Sequence, residues 1–381
     1  MQLGIDASNI RAGGGVTHLV ELLRHARPCE HGITQVVVWA GQDTLKKIPV
    51  SPWLQPVHEP MLDRPLPVRL YWQALKLPQL AKQTCDVLFV PGGNWRGSFR
   101  PVVTMSRNML PFERAEVRRY GASWIFLRLS LLRLSQTGSL RNADGVIFLN
   151  EYARSTIVQQ VRKLRGRWTI IPHGINQCFC LPPRVQRPLS DYSLSRPFRL
   201  LYVSTVDLYK HQWHVVEAVA RLRWEGIPLE LDLVGSAYPP ALRHLRKVIG
   251  RVDPQEEFVH YKGPIAYSEI TCYYHRADGF VFASSCENMP NILLEAMASG
   301  LPIACSNRGP MPEVLSEGGV YFGPERPEEI ARTLRSLIMD PGLREQCAQS
   351  AYRRAQEYSW ESCARDTFDF IAQVANKVLT K

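Results

Sequence analysis

Short apolar runs alternate with longer stretches of helical periodicity along most of this chain. Residues 2–7, Thr34–Ala40, Asp86–Pro91, Val102–Ser106, Gly145–Leu149 and Thr169–Ile171 read as strands. So do Phe198–Val203, Leu229–Val234, Phe258–Ile265, Phe280–Ala283 and Val320–Phe322. Helices are predicted at Val16–His25, Trp213–Glu225, Pro327–Met339 and Gly342–Tyr358, with a last one capped by Ser359 and running to about Leu379. Strands that alternate with helices predict a parallel sheet, whose carboxyl-terminal strand ends line the ligand crevice. Prolines 182, 183, 188 and 197 interrupt the pattern and mark a linker. At 381 residues the chain exceeds one ordinary core, so two α/β domains are expected, with a boundary near 190.

One stretch concentrates the chemistry. After Phe280–Ala283 comes a polar turn, then Pro290 opens an amphipathic helix that Gly300 and Pro302 close. Proline suits a first helical position, where its missing N–H would be unpaired anyway. The N–H groups of Asn291, Ile292 and Leu293 are then expected to be free at the positive helix end, an anion site suited to phosphate. Glu287 and Glu295 bracket it. A carboxylate beside bound phosphate repels it unless it faces another part of the ligand, and hydroxyls are the natural partners. A phosphate flanked by polyols describes a nucleotide-sugar.

Glu287-x7-Glu295, set in SSCENMPNILLEAMASGLPIA, resembles the signature of retaining glycosyltransferases of GT-B fold, family 4 type. The resemblance implies two Rossmann-like domains facing each other across a cleft: 1–190 on the acceptor side, 191–358 binding the nucleotide-sugar, and 359–381 as a helix crossing back to the first. It implies that Glu295 binds the ribose diol and Glu287 the hydroxyls of the transferred sugar. The turn and helix start between them (Asn288, Met289, Pro290, Asn291, Ile292, Leu293) would hold the diphosphate. Lys210 aligns with the family lysine on the pyrophosphate, and a mobile ammonium suits two phosphates as a point charge. Many relatives have Gly-Arg where this chain has Ser204-Thr205, so hydroxyls replace a cation. Gly235-Ser236 and Lys262-Gly263 end strands that form the base pocket in the family. Gly13-Gly14-Gly15 matches its N-terminal glycine loop, where backbone approaches the donor closely. Arg107-Asn108 stands where many relatives carry His-Asp. A permanent cation cannot act as a base, so Arg107 is expected to neutralise a phosphate or a charged acceptor. Glu287, Lys210 and Arg107 are the expected catalytic residues, by preorganised charge rather than a carboxylate nucleophile. Retention would follow from a front-face reaction in which the leaving phosphate takes the acceptor's proton.

Charge and composition narrow the rest. Residues 1–190 hold 25 Lys+Arg against 11 Asp+Glu, and residues 191–381 hold 21 against 24. The basic half points to an anionic partner. Within 114–141, Trp124, Leu127, Leu131 and Leu134 follow helical spacing with arginines interspersed. That stretch reads either as a helix packed on the sheet or as an interfacial helix on anionic lipid. Nine scattered cysteines without a CxxC pair suit a reducing compartment. The chain enters a strand at once, without room for a signal peptide, and no apolar run approaches the ~20 residues of a membrane span. The expected location is cytoplasmic, with peripheral attachment to the inner membrane face. No cofactor is expected: Glu230-Leu231-Asp232 sits inside a strand, unlike a metal-binding DxD, and no other acidic cluster suggests a divalent cation. GxGxxG is absent, since position 18 is His, which argues against a nicotinamide enzyme.

The reading is a hexosyltransferase, mannose favoured, using a GDP- or UDP-sugar on a glycan or lipid-linked acceptor in cell-surface polysaccharide or lipopolysaccharide synthesis. Two alternatives share parts of the pattern: a nucleotide-sugar epimerase of the same fold, and a basic nucleic-acid-binding protein, motivated by the pI of 9.3.

Overall fold

A computed structural model describes residues 1–379. Two parallel sheets organise it. The first contains β1 (Gln2–Asp6), β2 (Gln35–Ala40), β3 (Leu54–His58), β4 (Val87–Val90), β5 (Val102–Met105), β6 (Gly145–Phe148) and β7 (Arg167–Ile170), in the order β3-β2-β1-β4-β5-β6-β7. The second contains β8 (Phe198–Val203), β9 (Leu229–Val234), β10 (Val259–Gly263), β11 (Gly279–Phe282), β12 (Ile303–Ser306) and β13 (Gly319–Phe322), in the order β10-β9-β8-β11-β12-β13. Each is a doubly wound, Rossmann-like sheet whose strand order reverses once, at β1/β4 and at β8/β11. Ligands of such sheets bind at that reversal, outside the carboxyl ends of the strands.

The chain divides into two compact units. One comprises Met1–Arg114, Ala122–Gly174 and the chain from Tyr358 on; the other comprises Ala115–Gly121 and Ile175–Glu357. The linker prolines therefore lie in the second unit. So does a seven-residue excursion from the first half, residues 115–121.

The core strands are buried on both faces, which is why they read as continuous apolar runs. Every residue of β4, β5, β6, β11 and β12 is buried. Around β2 and β4, Trp39, Trp72, Trp95 and Phe99 pack into one cluster; burying a large apolar side chain contributes roughly 1.5–3 kcal/mol. The alternation missed β3, because Pro56 interrupts Leu54–His58. β3 lies at a sheet edge, where a strand residue without an N–H is tolerated.

The 114–141 stretch is not one helix. Arg114–Arg118 forms a short one, the chain breaks at Gly121 (φ 57°), and a helix runs from Trp124 to Asn142 with Ser123 capping Phe126 N. Its buried side chains are Leu129, Gln136, Ser139 and Leu140. The Trp124, Leu127, Leu131 and Leu134 stripe is 73, 48, 54 and 71% exposed. The packing expectation for this stripe is therefore overturned: the helix turns it outward. No described helix is long and apolar enough to cross a membrane.

Candidate active site at the strand reversal of the second unit

The loops after β8 and β11 are neighbours because their strands are, and both carry site residues. After β8, Ser204 and Thr205 lead to Lys210, His211 and a helix at Gln212–Trp224. After β11, Ser284–Met289 leads to a helix at Asn291–Ala298. The two loops are stitched together: Ser285 N donates to Tyr209 O (2.8 Å), and His211 Nε2 lies 3.0 Å from Ser285 Oγ. His211 caps its helix at φ 53°, ψ 28°, a left-handed conformation of the kind that functional loops retain. Burial pushes its imidazole down to about 3, so it stays neutral and serves as a hydrogen-bonding post.

That stitching brings Lys210 to Glu287. The ammonium and carboxylate are ion-paired with side chains only 7 and 16% exposed. Lys210 Nζ also sits over the rings of Tyr209 (5.0 Å) and Phe282 (5.4 Å). The residue expected on the phosphate and the residue expected on the sugar therefore neutralise each other.

Glu295 is reached by Tyr274, whose hydroxyl donates to Oε2 at 2.9 Å and lies 3.3 Å from Ile292 O. Burial raises the Glu295 carboxyl to about 7, and the tyrosine bond opposes that rise.

The helix start differs from expectation. Pro290 is the cap rather than the first helical residue. Asn291 N donates to Met289 O (3.0 Å) and Leu293 N to Pro290 O (2.9 Å). Of the three amides expected to be free, only Ile292's has no backbone acceptor among the described residues. Beginning the helix one residue late lets the turn's own carbonyls satisfy the other two. Asn288 and Met289 are buried beside it.

Ser204, Thr205, Gly235, Ser236 and Gly263 converge at the ends of β8, β9 and β10. Thr205 Oγ1 lies 3.1 Å from Ser236 Oγ, and Gly235 N donates to Gly263 O (2.9 Å). Gly235 has φ 143°, and a Cβ there would stand 2.2 Å from Ser204 O, so only glycine lets these loops touch. Lys262 turns elsewhere: its ammonium is 3.4 Å from Asp232 on β9, while Glu230 pairs with Arg199 (2.9 Å). Both acids of Glu230-Leu231-Asp232 are thus partnered across strands.

Sequence reasoning missed Tyr274, Tyr209 and the 115–121 excursion. Tyr120 on that excursion donates to Asp207 Oδ1 (2.8 Å), its ring 6.0 Å from that of Tyr238, and Arg119 pairs with Glu116 and Glu325. No local signal announces contacts made 87 residues apart.

In the first unit, the glycine run begins the helix Gly14–His25, with Gly13 at φ 63° as its cap. The amides of Gly14 and Gly15 precede the first intrahelical bond, which Val16 N makes to Gly13 O. Arg107 donates to the carbonyls of Gly14 (2.7 Å) and Gly15 (3.4 Å). Burial lowers it to about 10, which leaves it cationic at neutral pH. Its guanidinium buttresses the glycine turn. Beneath lies His18, fully buried and held neutral by burial, then by His173 and Arg107, and packed with His173 and Trp360.

Two doubly wound sheets, the second holding a lysine–glutamate pair and a helix start at its strand reversal, define an α/β protein of two Rossmann-like units. The family models agree. Residues 12–177 match Glycosyltransferase Family 4 and residues 193–354 match Glycosyl transferases group 1. The chain belongs to this group of GT-B glycosyltransferases.

Among curated proteins it is similar to O-antigen chain mannosyltransferase B of Escherichia coli, 24% identical over 251 residues, covering 64% of each chain. The chain spans less than two thirds of the length of the first curated relatives it matches. Among solved structures it resembles sucrose-phosphate synthase from Thermosynechococcus elongatus, with TM-score 0.76, 18% identity and coverage of 100 and 99%. It also resembles Anabaena HepE in complex with UDP-glucose, with TM-score 0.66, 18% identity and full coverage of both chains.

Proposed function

We propose that the protein is a retaining, metal-independent hexosyltransferase that uses a nucleotide-sugar to extend a glycan or lipid-linked acceptor of the cell surface. The observation that carries this reading is the Lys210–Glu287 pair at the β8/β11 reversal. A donor entering there separates the pair: its diphosphate takes Lys210 and the Ile292 amide, and its sugar hydroxyls take Glu287. The ribose diol goes to Glu295, and the base to the loops at Gly235-Ser236 and Gly263.

The anomeric C–O bond breaks with its electron pair on the β-phosphate oxygen. The acceptor hydroxyl attacks the same face, and its proton passes to that oxygen. Lys210 stabilises the charge as it grows. A mannosyl donor is favoured by the O-antigen mannosyltransferase relative, and a uridine nucleotide by the HepE neighbour. Incubating the protein with GDP-mannose and UDP-glucose, with and without acceptor, tests the reading. Donor consumption that needs acceptor is expected; conversion of donor into an epimer without acceptor would assign the fold's other chemistry.

The outward stripe at 124–134 fits an anionic lipid surface on the inner membrane face. Arg128 and Arg96 are exposed near it, Arg96 bonding Ser135 at 3.2 Å. Basic residues contribute roughly 1 kcal/mol each near such a surface, and the exposed Trp and Leu side chains add apolar area. Replacing Trp124, Leu127, Leu131 and Leu134 together by serine is expected to weaken phosphatidylglycerol-vesicle binding at least tenfold in sedimentation, without changing donor affinity. Unchanged vesicle binding would refute the lipid partner.

A further inference from the structure

A hollow of about 450 Å³ opens in the second unit at the amino-terminal ends of β8, β11 and β12. In a parallel sheet these ends lie on the opposite rim from Lys210 and Glu287, so the hollow is separate from the site described above. The linker forms one wall and the strand ends the other. Arg184, Arg187, Arg196, Arg199 and Arg276 line it, with Asp278 as its one acid.

Its charges are not internally compensated. Arg199 is paired with Glu230, and Arg184 donates to Ala277 O. Arg187, Arg196 and Arg276 have no carboxylate partner among the described residues. Asp278 is already used: Oδ2 accepts from Arg199 N (3.0 Å) and Oδ1 from the Tyr192 hydroxyl (3.3 Å). General basicity does not explain the cluster, because residues 175–357, which hold all five arginines, carry 20 Lys+Arg against 21 Asp+Glu.

The wall is also fixed in place. Leu181 N donates to Ala298 O at 3.0 Å. The fully buried Arg344 holds the linker through Gln186 Oε1 (3.2 Å) and the Arg187 carbonyl. Arg344 itself adds a further positive charge behind the wall, with no carboxylate bonded to it. A guanidinium fork takes phosphate oxygens in bidentate geometry, and Arg187, Arg196 and Arg276 line the hollow without a carboxylate to occupy them. The volume falls in the range of small-molecule sites.

We propose that this hollow is a second anion site that takes a compact, soluble phosphate ester or diphosphate. A phosphate monoester brings about −1.5 to −2 charges, which suits three unpaired arginines better than a single carboxylate does. The ligand bridges linker and strand ends, and its affinity falls with added salt because the arginines are open to solvent.

The test uses the full chain carrying Lys210→Met/Glu287→Gln, so that the site at the strand reversal does not compete. Inorganic pyrophosphate and glucose 6-phosphate are titrated calorimetrically into this protein and into the same protein with Arg187→Gln/Arg276→Gln added. Saturable binding that weakens at least tenfold in the second protein is expected, with thermal melts verifying that both are folded. In an otherwise native background, Arg187→Gln/Arg276→Gln should leave nucleotide-sugar binding unchanged. No saturable binding at millimolar ligand, or binding unaffected by the arginine substitutions, overturns the proposal. Vesicles of phosphatidic acid in phosphatidylcholine form a separate arm. Vesicle binding lost on the same substitutions, with neither soluble ligand bound, would assign the site to a lipid headgroup and overturn the soluble source.

Discussion

Lys210→Ala is expected to lower kcat/KM for sugar transfer by roughly two to three orders of magnitude, the usual consequence of removing one preorganised donor from a developing oxyanion. The lysine is also half of a mostly buried ion pair. Removing one partner leaves Glu287 uncompensated, and such a loss costs up to about 3–5 kcal/mol. Lost activity in the single variant would therefore have two explanations. Lys210→Met/Glu287→Gln separates them, because replacing both charges by uncharged groups of similar volume is close to neutral for stability. The double variant is expected to melt near the native temperature and still fail to transfer sugar. Native-like transfer from a folded double variant would remove the pair from the mechanism.

Glu295→Gln is expected to abolish measurable donor affinity while stabilising the empty protein at alkaline pH. The carboxyl is held near 7 by burial, above its ordinary value. Between about 4.5 and 7 the folded protein therefore retains a proton that the unfolded chain has released. Stability falls as pH rises across that window and levels off above it. Glutamine resembles the protonated form and still accepts from Tyr274. Thermal melts of the two proteins should coincide near pH 4.5 and diverge by pH 8, with the variant higher. A donor that engages the ionised carboxylate would release a proton on binding near pH 6.5, readable as a buffer-dependent calorimetric enthalpy. Equal melts at pH 8 would contradict the buried-carboxyl account, and unchanged donor affinity would contradict the role of Glu295.

The alternation of apolar runs and helices was enough to place most strands of both sheets, since buried parallel strands and amphipathic helices have distinct local periods. The helix Pro327–Met339 lies where the pattern put it. β3 escaped because its proline is acceptable only at an edge, and edge position is not a local property. The glutamate spacing and the lysine loop were legible as separate pieces. Their meeting depends on β8 and β11 being adjacent, which the sheet's crossover decides. Tyr274 and Tyr120 reach Glu295 and Asp207 from distant segments, and Lys262 is diverted by a cross-strand aspartate. The outward stripe of the 124–142 helix shows a further limit. Periodicity finds an apolar face but not which side of the helix the protein covers. The linker arginines carry no motif that marks them as a group, and only folding brings Arg276 to their hollow.

Hydrogen–deuterium exchange with and without a saturating nucleotide-sugar tests the central claim most directly. Donor is predicted to protect amides in peptides spanning 204–211 and 284–295 together, the two loops at the β8/β11 reversal. Protection confined to other peptides, with these two unchanged, would contradict a donor bound between Lys210, Glu287 and the start of the Asn291–Ala298 helix.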